Sequence, residues 1–483
     1  MENLNKTIKK LSEEEYKVLL EAVTGNKKNK PYQVMELART KELNDTQMME
    51  ILEVNSSAYY TLKSRLIDKI ASILFQKPIN ALKEKVAHVS SSMFDENKFM
   101  TINFLKDLEK QLIEYDLSNE LVTVYKTLAR VHIYNPEEYE YYDQLYQKHT
   151  AFSLSVEKAE DLLYIFVRDL GIYKLTRLPE DMKKAKSTRR ELFNITELYE
   201  SHRLFVLYNI IGIYYQCAFT HKLATLKTKE AEIENVLQEI NKTFEKYDLD
   251  PFYFNIKVLI DFLYVQFYYH TENIYRAEPF YKKVKEALPI LINKHIFNFF
   301  IVQFLNSKLE KYLFNDRVEE LCDLNPLLES NFEIDENEVY HTIYYRSFIA
   351  HTKFYSENYK EAANIMNDLR NKVSMRHFSH TDVECKLFQA LQYCFMGEEE
   401  MCKQLFSSVN RQLVNVESNY ENVELFIKLI KAALKPADLR KKIKKIEELY
   451  AQYCKVNTGE LQILRYVKLD DKLIRRMANP LKN

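Results

Sequence analysis

Residues 375–385, Met375-Arg-His377-Phe-Ser-His380-Thr-Asp382-Val-Glu384-Cys385, bring two imidazoles, two carboxylates and a thiol together within eleven residues of this 483-residue chain. Imidazole, carboxylate and thiolate within so few residues are the types that hold a divalent cation. Their spacing matches no established site, and Ser379 and Thr381 suit helix caps instead. No metal and no cofactor are therefore expected. A phosphate-cradling loop needs clustered glycines, and the 5 glycines here are scattered. There is no G-x-S-x-G elbow and no H-E-x-x-H pair. The 6 cysteines (Cys217, Cys322, Cys385, Cys394, Cys402 and Cys454) include no C-x-x-C motif, which suits reduced thiols inside a cell better than a disulfide framework. No constellation supports a reaction, so the protein is not expected to be an enzyme.

The remaining chemistry is recognition, and it depends on helices. The stretch 335–369 reads as a helix hairpin. Asp335 with Glu338 three residues later has the form of a capping box, so a helix is expected to open there. Val339, Ile343, Ser347, Ala350 and Phe354 step along one face, and Tyr340, Tyr344, Phe348 and Tyr355 make a second stripe. A helix apolar on two sides is one packed between neighbours. Asn358 and Glu361 form the next cap, and Ala362, Ile365, Met366 and Leu369 the inward stripe of the second helix.

The run Phe354-Tyr-Ser-Glu-Asn-Tyr-Lys-Glu-Ala362 recurs in outline, with Ala277, Leu321 and Cys402 equivalent to Ala362. The separations are 44, 41 and 40 residues, within the roughly 34–47-residue range of stacked helix pairs. The run resembles the turn of a tetratricopeptide repeat. The likeness covers residues 255–415, and residues 100–250 more faintly. The usual Trp and Gly positions are mostly absent: there is no Trp, and only Gly397 falls at such a turn. The resemblance implies an all-α protein, an α-solenoid of TPR-like helical hairpins with a concave face that binds a protein or peptide. On that face His341, Tyr344 and Tyr345 are the candidate contacts.

Composition agrees. With 5 Gly and 10 Pro there is little punctuation for sheets, and 35 Tyr with 28 Phe supply bulky core between helices. Neither a secretory h-region nor a run of ~20 apolar residues is present, so a cytoplasmic protein without a membrane span is expected. Residues 1–90 hold 15 Lys and Arg against 12 Asp and Glu, and residues 431–483 hold 14 against 6. Those ends carry +3 and +8, leaving −12 for the middle of a chain whose net charge is −1. An acidic body with basic ends invites electrostatic use of those ends.

Residues 1–78 read as a small helical N-terminal domain, 79–96 as a connection, 97–456 as the solenoid and 457–483 as a basic tail. Within the first, a helix at 46–53, a Val54-Asn55 turn and a helix from Ser56 to about Leu74 resemble a bacterial helix-turn-helix. Glu53 stands where that motif carries Gly. The resemblance implies that Ala58, Tyr59, Leu62, Leu66 and Ile70 face inward, while Ser57, Tyr60, Thr61, Lys63, Ser64 and Arg65 face DNA. Further along, Pro136 suits a helix start, Leu175–Ala185 reads as a flexible loop around Pro179, and Pro436 suits the first position of the last basic helix. In the tail, Leu464, Tyr466 and Val467 hint at one extended or docked segment. The reading is a non-catalytic scaffold or adaptor for a protein or peptide partner. The alternative is a DNA-binding transcriptional regulator whose repeats sense a ligand or peptide. Neither the partner nor the oligomeric state is readable.

Overall fold

The computed structural model describes residues 13–480 apart from 25–28, 42, 44, 56–57, 60, 64, 67–80, 90–96, 200, 220–229, 248–250, 293–297, 333–334, 336, 414–419 and 460. Among these every regular element is a helix, as expected. No helix of the described residues is long and apolar enough to cross a membrane. The chain gathers into two compact units: residues 1–164, 188–271 and 275–290, and residues 165–187, 272–274 and 291–483.

The first unit opens with α1 (Glu13–Thr24), α2 (Lys30–Thr40) and α3 (Asp45–Leu52). They share a core of Tyr16, Leu19, Val34, Met35, Met48 and Leu52, which Tyr59 and Leu66 complete. A second core forms where α4 (Lys98–Glu114), α5 (Ser118–Val131) and the first part of α6 (Pro136–Thr176) bury Leu105, Leu108, Leu112, Leu121, Val124 and Tyr142. Pro136 occupies the first turn of α6 as expected, where its missing N–H costs nothing. Beyond α7 (Pro179–Leu198) come α8 (His202–Phe219), α9 (Glu230–Lys246), α10 (Pro251–His270) and α11 (Ile274–Leu291).

The second unit stacks hairpins in chain order. Its first helices are α12 (Asn298–Asn315), α15 (Val339–Tyr355), α17 (Ser379–Met396) and α19 (Glu421–Leu434). Their partners are the short α13 (Val318–Cys322) and α14 (Asn325–Asn331), then α16 (Tyr359–Lys372), α18 (Glu399–Leu413) and α20 (Leu439–Val456). Each packs on its neighbours along the chain, giving a solenoid-like stack. A last helix, α21 (Asp471–Ala478), follows an irregular segment.

The repeat alignment has a backbone counterpart. Glu272, Asp316, Glu357 and Gly397 all adopt left-handed φ, at 59, 53, 61 and 76°. Each stands five residues before Ala277, Leu321, Ala362 or Cys402, and all four of those are buried. Asp116 (φ 50°) stands likewise before buried Leu121. After α15, Glu357 N–H bonds the Phe354 carbonyl at 2.9 Å and Asn358 N–H reaches the Lys353 carbonyl at 2.9 Å. Gly397 and Glu398 repeat that pattern with Cys394 and Tyr393. This is the Schellman closure of a helix C-terminus, normally built on glycine. The buried residue five places on lets the next helix pack back. Asn358 then caps α16, accepting from Glu361 N–H at 3.3 Å.

Four expectations need correction. Asp335 does not cap α15: its carboxylate is spent on Asn337 at 2.9 Å and the helix starts after Glu338. Residues 175–185 are no flexible loop, because α6 runs to Thr176 and α7 opens at Pro179, whose fixed φ starts a helix as readily as it ends one. Thr176 Oγ1 donates to Asp181 at 2.8 Å and Lys184 donates to the same carboxylate, closing that corner. Pro436 precedes α20 rather than opening it, since Asp438 is the cap and accepts from Arg440 and Lys441. Ala58 is exposed, not inward; Tyr59 and Leu66 are buried and Leu62 half-buried, while Ile70 lies outside the described residues.

Candidate functional site

The metal-like run does not converge. His377 is exposed in a short 3-10 turn while His380 and Cys385 are buried in α17. Asp382 is bound to Arg370 at 3.2 Å and Lys386 at 2.7 Å. No three His, Cys, Asp or Glu among the described residues are placed to hold a metal. Burial pushes the Cys385 and Cys402 thiols up to about 12, so neither supplies a thiolate near neutral pH.

The three aromatic candidates of α15 diverge. His341 pairs with Glu338 one turn back. Tyr345 packs on Phe332, ring centroids 5.5 Å apart. Only Tyr344 faces the inner helices, tilted against Tyr340 at 4.7 Å with Arg465, Glu384 and Arg177 in its field. Of the helix-turn-helix candidates, Ser57, Tyr60 and Ser64 lie outside the described residues. Arg65 is exposed and Thr61 half-buried. Lys63 is 5% exposed and its ammonium meets Asp45 at 3.0 Å, beside the Tyr59 hydroxyl on the same carboxylate at 2.9 Å. That ammonium is turned to the core rather than to a phosphate.

Tyr344 leads to the site, because what it faces is the chain's own tail. Residues 461–469 have no regular structure and cross the first helices of the stack. Side chains of those helices and of α20 hold the tail by its backbone. The Asn422 amide donates to the Leu461 carbonyl at 2.8 Å, and the Tyr453 hydroxyl to that of Ile463 at 2.8 Å. Leu464 N–H donates to Glu384 at 2.8 Å, and Leu469 N–H to the Tyr450 hydroxyl at 3.0 Å. Tyr355 bonds twice, donating to the Tyr466 carbonyl at 2.7 Å and accepting from Lys468 N–H at 3.0 Å. Asn457 folds the entry, accepting from Ile463 N–H and donating to its carbonyl.

Charge follows the same path. Arg465 meets Glu310 at 2.9 Å, Lys468 meets Asp316 at 2.7 Å and Lys472 meets Glu357 at 2.6 Å. The acids lie on α12 and on the left-handed turn residues after α12 and α15, so the turn that packs the hairpins also aims carboxylates at the tail. The Lys472 ammonium holds the Glu357 carboxyl below the usual carboxylate range. Arg465 keeps 45% of its side chain open. Burial opposes its charge, yet Glu310 with the surrounding phenols and Glu384 outweighs it. Beneath the segment His351 stacks on Phe388 at 4.2 Å and meets Tyr466 edge-on. Its ring nitrogen bonds the Ser347 carbonyl at 2.7 Å, and burial lowers its pKa to about 4, leaving it neutral. Ile463, Leu464, Val467, Leu469, Ile474 and Met477 bury the apolar side of the tail.

The sequence pattern had pointed to aromatic residues on α15 and missed Tyr355, Glu384, Tyr450 and Tyr453 as the backbone-binding groups. One readable signal was the +8 of residues 431–483 beside an acidic middle. A second cluster, in the first unit, left no signal: His202 lies between the Asp116 carboxylate and the Tyr253 hydroxyl and stacks on Tyr247 at 3.9 Å. Tyr253 is 1% exposed, so that hydroxyl is out of a substrate's reach.

No family model, curated protein or solved structure matches the chain.

Proposed function

We propose that the protein is a non-catalytic scaffold or adaptor whose TPR-like hairpins bind an extended segment of a protein or peptide partner on the inner face of the second unit. The observation that carries the reading is the manner in which residues 461–469 are held: side chains of three successive first helices and of α20 bond main-chain groups of an irregular segment that turns once, at Leu464–Val467. Main-chain groups are common to every peptide, and extended-peptide recognition uses them for affinity and side-chain sites for specificity. The recurring left-handed turn with its buried small or apolar residue five places on supports the repeat kinship. Affinity capture of the full-length protein from its native cells, with and without nuclease, tests the reading. A protein partner that resists nuclease and is lost with Tyr344→Ala supports it. Retention of nucleic acid that disappears with Arg65→Ala overturns it in favour of a DNA-binding regulator.

A further inference from the structure

We infer that this inner face is built for a basic segment of another protein, with Arg, an aromatic, an apolar residue and then Lys in succession, and that the chain's own residues 461–478 occupy the site until such a segment displaces them. The inference rests on the reading above, to which it adds a ligand chemistry and a competitor.

The acids set the chemistry. Glu310, Asp316 and Glu357 meet Arg465, Lys468 and Lys472 in order. They therefore select cations three and four residues apart, while the hydroxyl of Tyr355 fixes the main chain between the first two. His351 and Phe388 form the aromatic floor against which Tyr466 stands.

The tail fills this site imperfectly. Arg465 reaches one oxygen of Glu310, and the other, Oε2, is buried without a hydrogen-bond partner. A guanidinium presented squarely to a carboxylate engages both oxygens and binds more strongly. Leu464 sits at φ 51°, a left-handed conformation that a bulky L-residue adopts only under strain. The three cations also remain open to water, with 45, 40 and 76% of their side chains exposed, so their pairs can break singly. A competitor without the strain, using both Glu310 oxygens, improves on the occupant. It needs to, because a tethered segment acts at roughly millimolar effective concentration.

Two measurements on the full-length protein test this. Amide hydrogen exchange of the wild type is expected to show residues 461–469 opening while residues 379–396 stay protected. A labelled peptide of residues 459–480, added in trans, is expected to bind an Arg465→Ala, Lys468→Ala protein about tenfold or more tighter than the wild type, whose tail competes. The same peptide with both cations replaced by Ala is expected to lose at least about tenfold in affinity. Tail amides that exchange only with global unfolding overturn the inference, since the segment is then a permanent part of the core, and that result does not depend on any variant folding. Affinity indifferent to the peptide's cations overturns it as well. So does a concentration-dependent dimer with exchanged tails, which makes a second copy the occupant. A captured partner that crosslinks to this face without a basic segment overturns this inference alone and leaves the adaptor reading standing. The absence of any partner overturns the adaptor reading itself.

Discussion

Replacing Tyr355 by Phe removes one oxygen and nothing else. The ring keeps its packing against Tyr312, centroids 4.1 Å apart, and Phe354 at 4.9 Å. The oxygen makes two bonds, to the Tyr466 carbonyl at 2.7 Å and from Lys468 N–H at 3.0 Å. A net hydrogen bond contributes about 0.5–1.5 kcal/mol, so the pair is worth roughly 1–3 kcal/mol. The released carbonyl and N–H lie in an irregular segment and turn to water, which keeps the cost near the lower end. Each 1.36 kcal/mol is a factor of ten, so tail opening should speed by roughly 5- to 150-fold. Native-state hydrogen exchange of 461–469 reads this directly, with residues 379–396 as the internal reference. Unchanged exchange in the tail, or equal acceleration across the whole second unit, would refute the claim that Tyr355 is a local clasp.

Three further outcomes follow from the same geometry. Gly171→Ala puts a Cβ 2.3 Å from the Tyr340 ring, and since overpacking costs about 1–3 kcal/mol the unfolding free energy read from urea titration should fall by that amount, with a lower midpoint. Glu272→Gly relieves a left-handed residue at the repeat's turn position (φ 59°). Relief of about 1–2 kcal/mol less the entropy of glycine should raise stability by roughly 0.5–1 kcal/mol, read as a higher melting temperature. His351, lowered to about 4 by burial, contributes stability fully above its unfolded value of 6.5 that is lost as pH falls from there toward 4. The loss amounts to about 3 kcal/mol. His132, His149 and His380 are lowered by burial too and act in the same direction. The difference between wild type and His351→Gln in denaturant titrations at pH 7 and pH 4.5 isolates the single residue; an identical acid loss in both would refute the assignment.

Local order was written in the chain. Two apolar stripes on α15, the Asn358 cap and the spacing of Ala277, Leu321, Ala362 and Cys402 are interactions between residues a few positions apart, so periodicity reveals them. The left-handed turns belong to the same class, but four of the five carry Asp or Glu instead of Gly and could be recognised only by backbone angle. Pro179 and Asp335 misled because one residue type serves both a turn and a helix start, and the surrounding hydrogen bonds choose between them. The tail shows the limit. Tyr355 and Tyr466 are 111 residues apart, and Lys468 and Asp316 are 152 apart. The first bond joins a side chain to a main-chain carbonyl that carries no sequence signal, and the second joins two charged side chains among many that could pair. Charge asymmetry between the ends and the middle announced an attraction. Only the stacking of α12, α15, α17 and α19 decided where its partners met, because stacking is what brings the acids and hydroxyls of distant helices to one face.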